Sequence, residues 1–542
     1  MPRCSIPLLL ALTLASSARA EDFCPAGGGD TRTALLLSIN DVYRIEGLES
    51  GSVGGLARVR SLRRELERSH PDLLMLHAGD LLFPSLASRI LKGEQMIAVL
   101  NALDGDSGAV DRRMFVTFGN HEFDENNLAD AGTLNQRLKE SQFTWLAGNL
   151  AFAQDDQGKP LVGGKNVVPR ALIESGGIKV GLFGLTIPME KVQYVSDFAG
   201  PEATARKLSA ELRAAGAEVV VAVTHLNAAD DRRLLERLGA AGPDLIVGGH
   251  DHERMAQEVG GRWLVKADAD ARSAALVCLV KRKDGRLEVR QENRALAAAN
   301  PPPDPEVEKL ADAWQDFHAL SFCHRAGARP GCLNEEYGRT RTVLEAEESK
   351  IRGRETSLGD WVTDQMLATF RSCGAQAAFI NSGSLRLNHD LAAGTVLTRR
   401  HLEELVAYKT PLYLLTVDGS ILQMVAEQAV RAWPGSGSWL QISGFGFRHL
   451  TQPRQAVDVS LGPPETSPRV QPGQIVKVVT GDYLLNPALG DQDGYSFLTK
   501  DLITPCEANG RDLKEILVQA LKAAEPLGIA PVAEGRIVQQ ER

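Results

Sequence analysis

"MFVTFGNHEFD", residues 114–124, is an apolar run that breaks at Gly119 into an amide, an imidazole and two carboxylates: Asn120, His121, Glu122 and Asp124. Four other segments share its grammar. "LLLSIN" (35–40) runs into Asp41, and "DLLMLHAG" (72–79) into Asp80. "VVVAVT" (219–224) runs into His225, and "DLIVGG" (244–249) into His250-Asp251-His252. In α/β folds the loop at a strand's carboxyl end is where side chains converge on a ligand. Taken alone, Gly79-Asp80 reads as a turn, His225 as a core histidine and "GGHDH" as a plain loop. Five such endings in order are difficult to explain as turns. Oxygen and imidazole donors suit divalent zinc or manganese better than a thiolate-type site would.

At 542 residues the chain is too long for one core, and two or three domains are expected. The first twenty residues, "MPRCSIPLLLALTLASSARA", have a basic start, a short apolar stretch and a small-x-small ending at Ala18-Arg19-Ala20. They read as a secretory signal peptide, since the apolar stretch is too short to span a bilayer. A periplasmic or secreted protein with no stable membrane anchor is expected. Cleavage after Ala20 takes the formal charge from −9 to −11, which argues against general nucleic-acid binding. It leaves six cysteines, at 24, 278, 323, 332, 373 and 506. An even number in an oxidising compartment allows disulfides, and Cys323 and Cys332 are close enough in sequence to pair. No CxxC is present, so the cysteines read as structural.

The Pro-rich stretch "LAAANPPPDPEVEKL" (296–310) ends a long region in which β-rich runs alternate with helical patterns such as "LARVRSLRREL" (56–66). The boundary is expected there, giving a first domain over 30–296, a linker with a helix over 297–334 and a second domain over 335–542. "SLGPPETSPRVQPGQ" (460–474) reads as a hairpin connection.

The ordered set of D-x-(H), GD, GNHE, a lone His and GHxH resembles the calcineurin-like metallophosphoesterases. "GNHEFD" together with "GGLARV" (54–59) is similar to the 5′-nucleotidase branch. So are "RETSLGDWVTDQM" (354–366), "NSGSLR" (381–386), "GSWLQISG" (437–444) and "DGYSF" (493–497), which resemble that branch's nucleotide-binding segments. The resemblance implies an α/β (α+β) protein. Its first domain would be a four-layer metallophosphoesterase β-sandwich flanked by helices, followed by a linker helix and a C-terminal α/β nucleotide-binding domain. It also implies two divalent metal ions and a small nucleotide substrate hydrolysed to nucleoside and phosphate. Other esters handled by related hydrolases (cyclic nucleotides, nucleoside diphosphate sugars, a thiosulfate ester) stay open, as does a nucleoside-binding protein without turnover. Oligomeric state is not legible.

By resemblance, one metal takes Asp41, Asp80 and His252, and the other takes Asp80, Asn120, His225 and His250. Asp80 bridges, since an anion between two cations screens their repulsion. The pair would polarise a phosphoryl group and lower the pKa of a bound water. His121 follows a ligand and can point at substrate, with Asp124 fixing its tautomer. Arg354, Asn381 and Arg386 are implied in binding phosphate and nucleoside, Trp439 and Tyr495 in sandwiching the base, and Asp501 in reaching the ribose. "Lys409-Thr410" departs from the family's usual Gly-rich or Asn-containing turn.

Tyr43 departs as well, standing where most of the family has His. Three readings compete: a non-ligand that leaves the first metal to water, a phenolate ligand that favours a harder ion such as ferric iron, or a dead site. Because every other ligand is present, the first is preferred and the dead site is the weakest.

Overall fold

Val219-Val220-Val221-Ala222-Val223 is buried at every position because its two faces belong to two cores. Val219, Val221 and Val223 point into one core, Val220 and Ala222 into the other. Leu36 and its neighbours Leu35 and Leu37 divide in the same way. A strand covered on both sides loses the polar alternation of a half-exposed one, so these segments read as continuous apolar runs.

The computed structural model describes residues 23–49, 51–189, 192–297, 300–487 and 493–540, so the expected signal peptide over 1–20 lies outside the described residues. The chain divides into two compact units, Met1–His318 and Ala319–Arg542. Strands of the first unit's two large sheets are β1 (Thr31–Ile39), β2 (Leu74–His77), β3 (Met114–Thr117), β4 (Thr144–Leu146), β5 (Val167–Val168), β6 (Arg170–Ser175) and β7 (Ile178–Thr186). They continue with β8 (Val219–His225), β9 (Leu245–Gly248), β10 (Met255–Val259), β11 (Arg262–Lys266), β12 (Ser273–Arg282) and β13 (Leu287–Ala295). Seven form one sheet in the order β13-β12-β1-β2-β3-β4-β5, and six form a second in the order β10-β11-β9-β8-β7-β6.

The sheets share a core that includes Leu36, Leu74, Phe115, Val221, Val247 and Val277. Helices cover the outer faces: α1 (Leu56–Glu67) packs against the first sheet through Leu56, Val59 and Leu62, and α2 (Ala228–Leu238) against the second through Leu234 and Leu235. The result is the four-layer sandwich. In it, β1, β2 and β3 are parallel neighbours, as are β7, β8, β9 and β11. All five segments that carry the candidate ligands therefore end on the same side.

The helix α3 (Pro305–Arg325) contains the division between the units, and its Val307 and Ala311 lie in the first unit's core. The Pro-rich stretch therefore leads into a helix whose first turns pack with the first unit, and the division after His318 falls inside the 297–334 segment expected to link the domains.

The second unit has a four-stranded sheet built from β14 (Ala377–Asn381), β15 (Leu412–Asp418), β16 (Leu440–Ser443) and β19 (Ile475–Gly481), in the order β15-β19-β14-β16. A three-stranded sheet, order β18-β17-β20, joins β17 (Gly446–Thr451), β18 (Arg454–Ser460) and β20 (Ile537–Gln540). The 460–474 stretch turns back on the end of β18 at an antiparallel bridge between Ser460 and Arg469, then carries the chain to β19 in the other sheet.

Among the described residues three disulfides pair the six cysteines: Cys24–Cys278, Cys323–Cys332 and Cys373–Cys506. Disulfides of this number fit an oxidising compartment. Among the described residues no helix is long and apolar enough to cross a membrane.

Candidate active site

His225 ends its strand and the other ligand candidates follow theirs, four of them on backbone that turns sharply. Asp41, Asp80, His250 and His252 all have positive φ, at 51°, 59°, 80° and 62°. For residues with a Cβ this region is costly, and such residues cluster where geometry serves a ligand. The adjacent glycines permit it. A Cβ on Gly119 would stand 2.0 Å from Asp80 Oδ1, and one on Gly79 would stand 2.7 Å from both the Gly119 N and His225 Nδ1.

Two donor sets share Asp80 Oδ2. In the second set this oxygen is 3.2 Å from His225 Nε2, which is 3.2 Å from Asn120 Oδ1 and 3.3 Å from His250 Nδ1. Asn120 Oδ1 and His250 Nδ1 are 3.1 Å apart. In the first set His252 Nε2 is 3.3 Å from Asp41 Oδ1. The Tyr43 hydroxyl lies among these atoms: 2.9 Å from His252 Nε2, 3.1 Å from Asp80 Oδ2 and 3.5 Å from Asp41 Oδ1. Ligands about 2.0–2.2 Å from one cation stand roughly 2.8–3.6 Å from each other at tetrahedral or octahedral angles. All eight separations fall in that interval. The residues fit divalent metal, with Asp41, Asp80 and His225 close enough to share an ion.

Electrostatics point the same way. Burial raises the Asp80 pKa, but the charges of His225 and His121 outweigh it and hold the carboxyl well below the usual range. Burial lowers His225, yet Asp80 and Asp41 raise it to about 9, while burial and the His225 charge lower His250 to about 3. Two buried carboxylates thus demand positive charge, which a proton on His225 supplies when no cation does.

His121 belongs to neither donor set. Its Nδ1 is 2.8 Å from Asp124 Oδ1, and its Nε2 is turned inward, 3.9 Å from Asp80 Oδ2. Its ring meets that of Tyr43 edge-on, with centroids 5.8 Å apart.

Several supporting residues carry no metal-ligand pattern of their own. Glu122 is buried and accepts from the backbone N–H groups of Asp80, Leu81, Leu82 and Gly119 at 2.6–3.0 Å. The Asn40 amide donates to Asp41 Oδ2 at 2.7 Å and pairs with Ala267 through both its oxygen and its nitrogen. Asp270 accepts from the Tyr43 N–H at 2.9 Å. Glu122 was legible only as part of GNHE; Asn40 and Asp270 had no signal beyond proximity to a ligand.

In the second unit, the structure gathers some of the expected residues and not others. Asn381 donates to Asp493 at 3.3 Å and accepts from Ser384 at 2.6 Å. Burial raises the Asp493 pKa to about 6, against the nearby charges of Arg352 and Arg386 and the Asn381 hydrogen bond. Arg386 donates to the Gly383 carbonyl at 2.6 Å. Arg354 instead turns outward, its side chain 54% exposed and paired with Glu345 at 2.6 Å; the arginine near this cluster is Arg352, two residues earlier. Asp501 is exposed on a short turn at Lys500–Leu502.

Trp439 and Tyr495 do not present faces to a ligand. Both are fully buried in one core, the indole N–H donating to the Arg354 carbonyl and the tyrosine hydroxyl to the Ser438 carbonyl. A fully buried ring cannot sandwich a base. Tyr408 stays 43% exposed, three residues beyond Leu405, whose carbonyl accepts from the Arg386 N–H.

The sequence matches the model of the calcineurin-like phosphoesterases over residues 35–254 and that of the 5′-nucleotidase C-terminal domain over residues 336–503. It is 24% identical to the snake venom 5′-nucleotidase of Gloydius brevicauda over 554 residues, covering 93% of this chain and 88% of that protein. It is 23% identical to the trifunctional nucleotide phosphoesterase of Bacillus subtilis over 536 residues, covering 89% of this chain but 33% of that longer protein. The 5′-nucleotidase precursor of Thermus thermophilus superposes with a TM-score of 0.73 at 22% identity, over 94% of this chain and 99% of that one, a likeness of fold. The two models match in order, so the chain carries a calcineurin-like phosphoesterase domain over residues 35–254 followed by a 5′-nucleotidase C-terminal domain over residues 336–503.

Proposed function

We propose that the chain is an exported, dinuclear-metal 5′-nucleotidase that hydrolyses nucleoside monophosphates to nucleoside and phosphate. The observation that carries this reading is the pair of donor sets meeting at Asp80 Oδ2. Asp41, Asp80 and His252 would hold one ion and Asp80, Asn120, His225 and His250 the other, with zinc or manganese favoured by the mixed oxygen and imidazole donors. When bound, the ions polarise the phosphoryl group, offset its developing charge and lower the pKa of water. His121, oriented by Asp124, faces the same space and is suited to stabilise or protonate the leaving oxygen. In the second unit, Arg352, Asn381, Arg386 and Asp493 offer charged and polar groups for phosphate and ribose, and Tyr408 offers an aromatic face for the base. The relatives named as 5′-nucleotidases support the substrate class. The signal-peptide pattern, together with the disulfides, supports export.

The test is phosphate release from AMP by the mature protein. Chelation with EDTA is expected to abolish it, and manganese or zinc to restore it. Undiminished turnover in protein shown by mass spectrometry to hold no metal would end this reading.

Tyr43 belongs with the first donor set rather than outside it. Its hydroxyl stands 2.9–3.5 Å from His252 Nε2, Asp80 Oδ2 and Asp41 Oδ1, separations that suit donors surrounding one cation. As a phenolate, from a group with pKa near 10, it would add negative charge on a hard oxygen and suit a harder ion at this position than at the second. Tyr43→Phe is therefore expected to weaken the first metal only, and Tyr43→His to restore it. Loaded with ferric iron, the wild type should absorb in the visible by charge transfer, and Tyr43→Phe should bleach that band. A Tyr43→Phe variant with wild-type affinity for both metals would return Tyr43 to the role of bystander.

A further inference from the structure

Behind the two histidines of the second donor set lies a buried lysine that touches no reacting group. Lys266 ends β11 with its side chain 1% exposed. Its ammonium is 2.7 Å from the Leu226 carbonyl, 2.8 Å from the Gly249 carbonyl, 2.6 Å from Asp251 Oδ2 and 2.7 Å from Asp231 Oδ2. Leu226 directly follows His225, and Gly249 directly precedes His250. One cationic group therefore joins the two loops that carry the two imidazoles. Asp251 extends the tie, since its carboxylate also accepts from the Ala228 N–H at the start of α2, at 3.1 and 3.2 Å.

The two loops differ in how firmly they are otherwise held. The ring of His225 is fixed by its own bond from Nδ1 to the Ala78 carbonyl at 2.7 Å. His250 and His252 lie on backbone with positive φ, which side chains with a Cβ avoid, and a loop in that conformation needs outside contacts to stay there. The His250 N–H donates to Asp41 Oδ2 at 2.9 Å, and the Lys266 ammonium takes the carbonyl one residue earlier. Between them these bonds set where His250 Nδ1 stands relative to His225 Nε2.

We propose that Lys266 is a positioning residue for the second metal: it ties the His225 and His250 loops together and so fixes the separation of their ring nitrogens. The proposal rests on the two-metal reading above but not on the substrate. Outer partners that orient metal ligands commonly contribute roughly 10- to 100-fold in metal affinity. A methionine at 266 keeps the apolar stem and loses every donor. It also leaves Asp231 and Asp251 without a cation, and Asp231 is fully buried whereas Asp251 is 26% exposed. Lys266→Met is thus expected to lower thermal stability as well as affinity, and Lys266→Met/Asp231→Asn to recover much of the stability by removing the buried charge.

The experiment measures zinc and manganese affinity by chelator competition, and melting temperature, on the full mature chain for the wild type and both variants. The expected result is that one of two metal equivalents binds at least about tenfold more weakly in both variants. The other should be unchanged, and kcat should return toward wild type at saturating metal. Should the single variant fail to fold, the double variant decides. Affinity that recovers in step with the melting temperature would reduce Lys266 to a structural ion pair and overturn the proposal. A wild type that binds two metals but releases no phosphate from nucleotides would sink the functional reading and leave this one intact.

Discussion

Asp80→Ala is expected to lose both metals and, with them, all measurable turnover, whereas His121→Ala is expected to keep both metals and lose most of the rate. The two residues meet, since the His121 N–H donates to Asp80 Oδ1 at 2.8 Å, yet their roles separate cleanly. Asp80 Oδ2 is the atom common to the two donor sets, standing 3.2 Å from His225 Nε2 and 3.1 Å from the Tyr43 hydroxyl. Alanine there removes a ligand from each set and the anion that screens one cation from the other, so neither site survives alone. His121 offers its ring to neither set. Removing one general acid or charge-stabilising group costs roughly 10²- to 10⁴-fold. Metal content by mass spectrometry beside phosphate release from AMP distinguishes the two variants. Loss of metal from His121→Ala would make His121 a ligand and undo the division of roles.

The convergence of the strand-end residues was legible because the fold places each member at a strand's carboxyl end, and a strand buried on both faces is a continuous apolar run that stops abruptly. Asp41, Asp80, Asn120, His225, His250 and His252 all converge as that pattern implies. What holds them was not legible. Lys266 ends an ordinary strand, "RWLVK", and its partner Asp231 lies in the first turn of α2, where acidic residues are commonplace. Only the three-dimensional approach of those elements gives either residue a role. The second unit exposes a different limit. The motifs around Trp439 and Tyr495 resemble a binding segment and so imply ligand-facing rings, but a motif does not specify which side of a sheet or loop a ring occupies. Both side chains instead fill the core and bond backbone carbonyls. Arg354 and Arg352 pose the same problem at a spacing of two: local direction of the chain, not residue type, decides which guanidinium lies near enough to Asp493 to lower its pKa.

Glu122→Gln, which changes one oxygen to an NH₂ group, is expected to destabilise the first unit and empty the metal site together. Glu122 is 2% exposed, and its two oxygens divide four backbone donors between them. Oε1 accepts from Leu81 and Leu82 at 2.7 and 3.0 Å, and Oε2 accepts from Asp80 and Gly119 at 3.0 and 2.6 Å. A glutamine fits the space, but whichever way its amide is turned, an NH₂ faces two N–H donors. Those donors are buried and have no water to turn to. Each orphaned donor costs about 1–3 kcal/mol, so the pair amounts to roughly 2–6 kcal/mol. That is enough to lower the melting transition of this unit by several degrees. The consequence for the site is geometric. Asp80 and Asn120 follow directly on the loops that Glu122 joins, and a displacement there separates the shared ligand from the second set. Metal stoichiometry and melting temperature should therefore fall together in Glu122→Gln, in contrast to His121→Ala, where neither should. A Glu122→Gln protein that melts with the wild type and retains two metals would mean that the two loops are held by their glycine turns alone, and that the carboxylate only fills space between them.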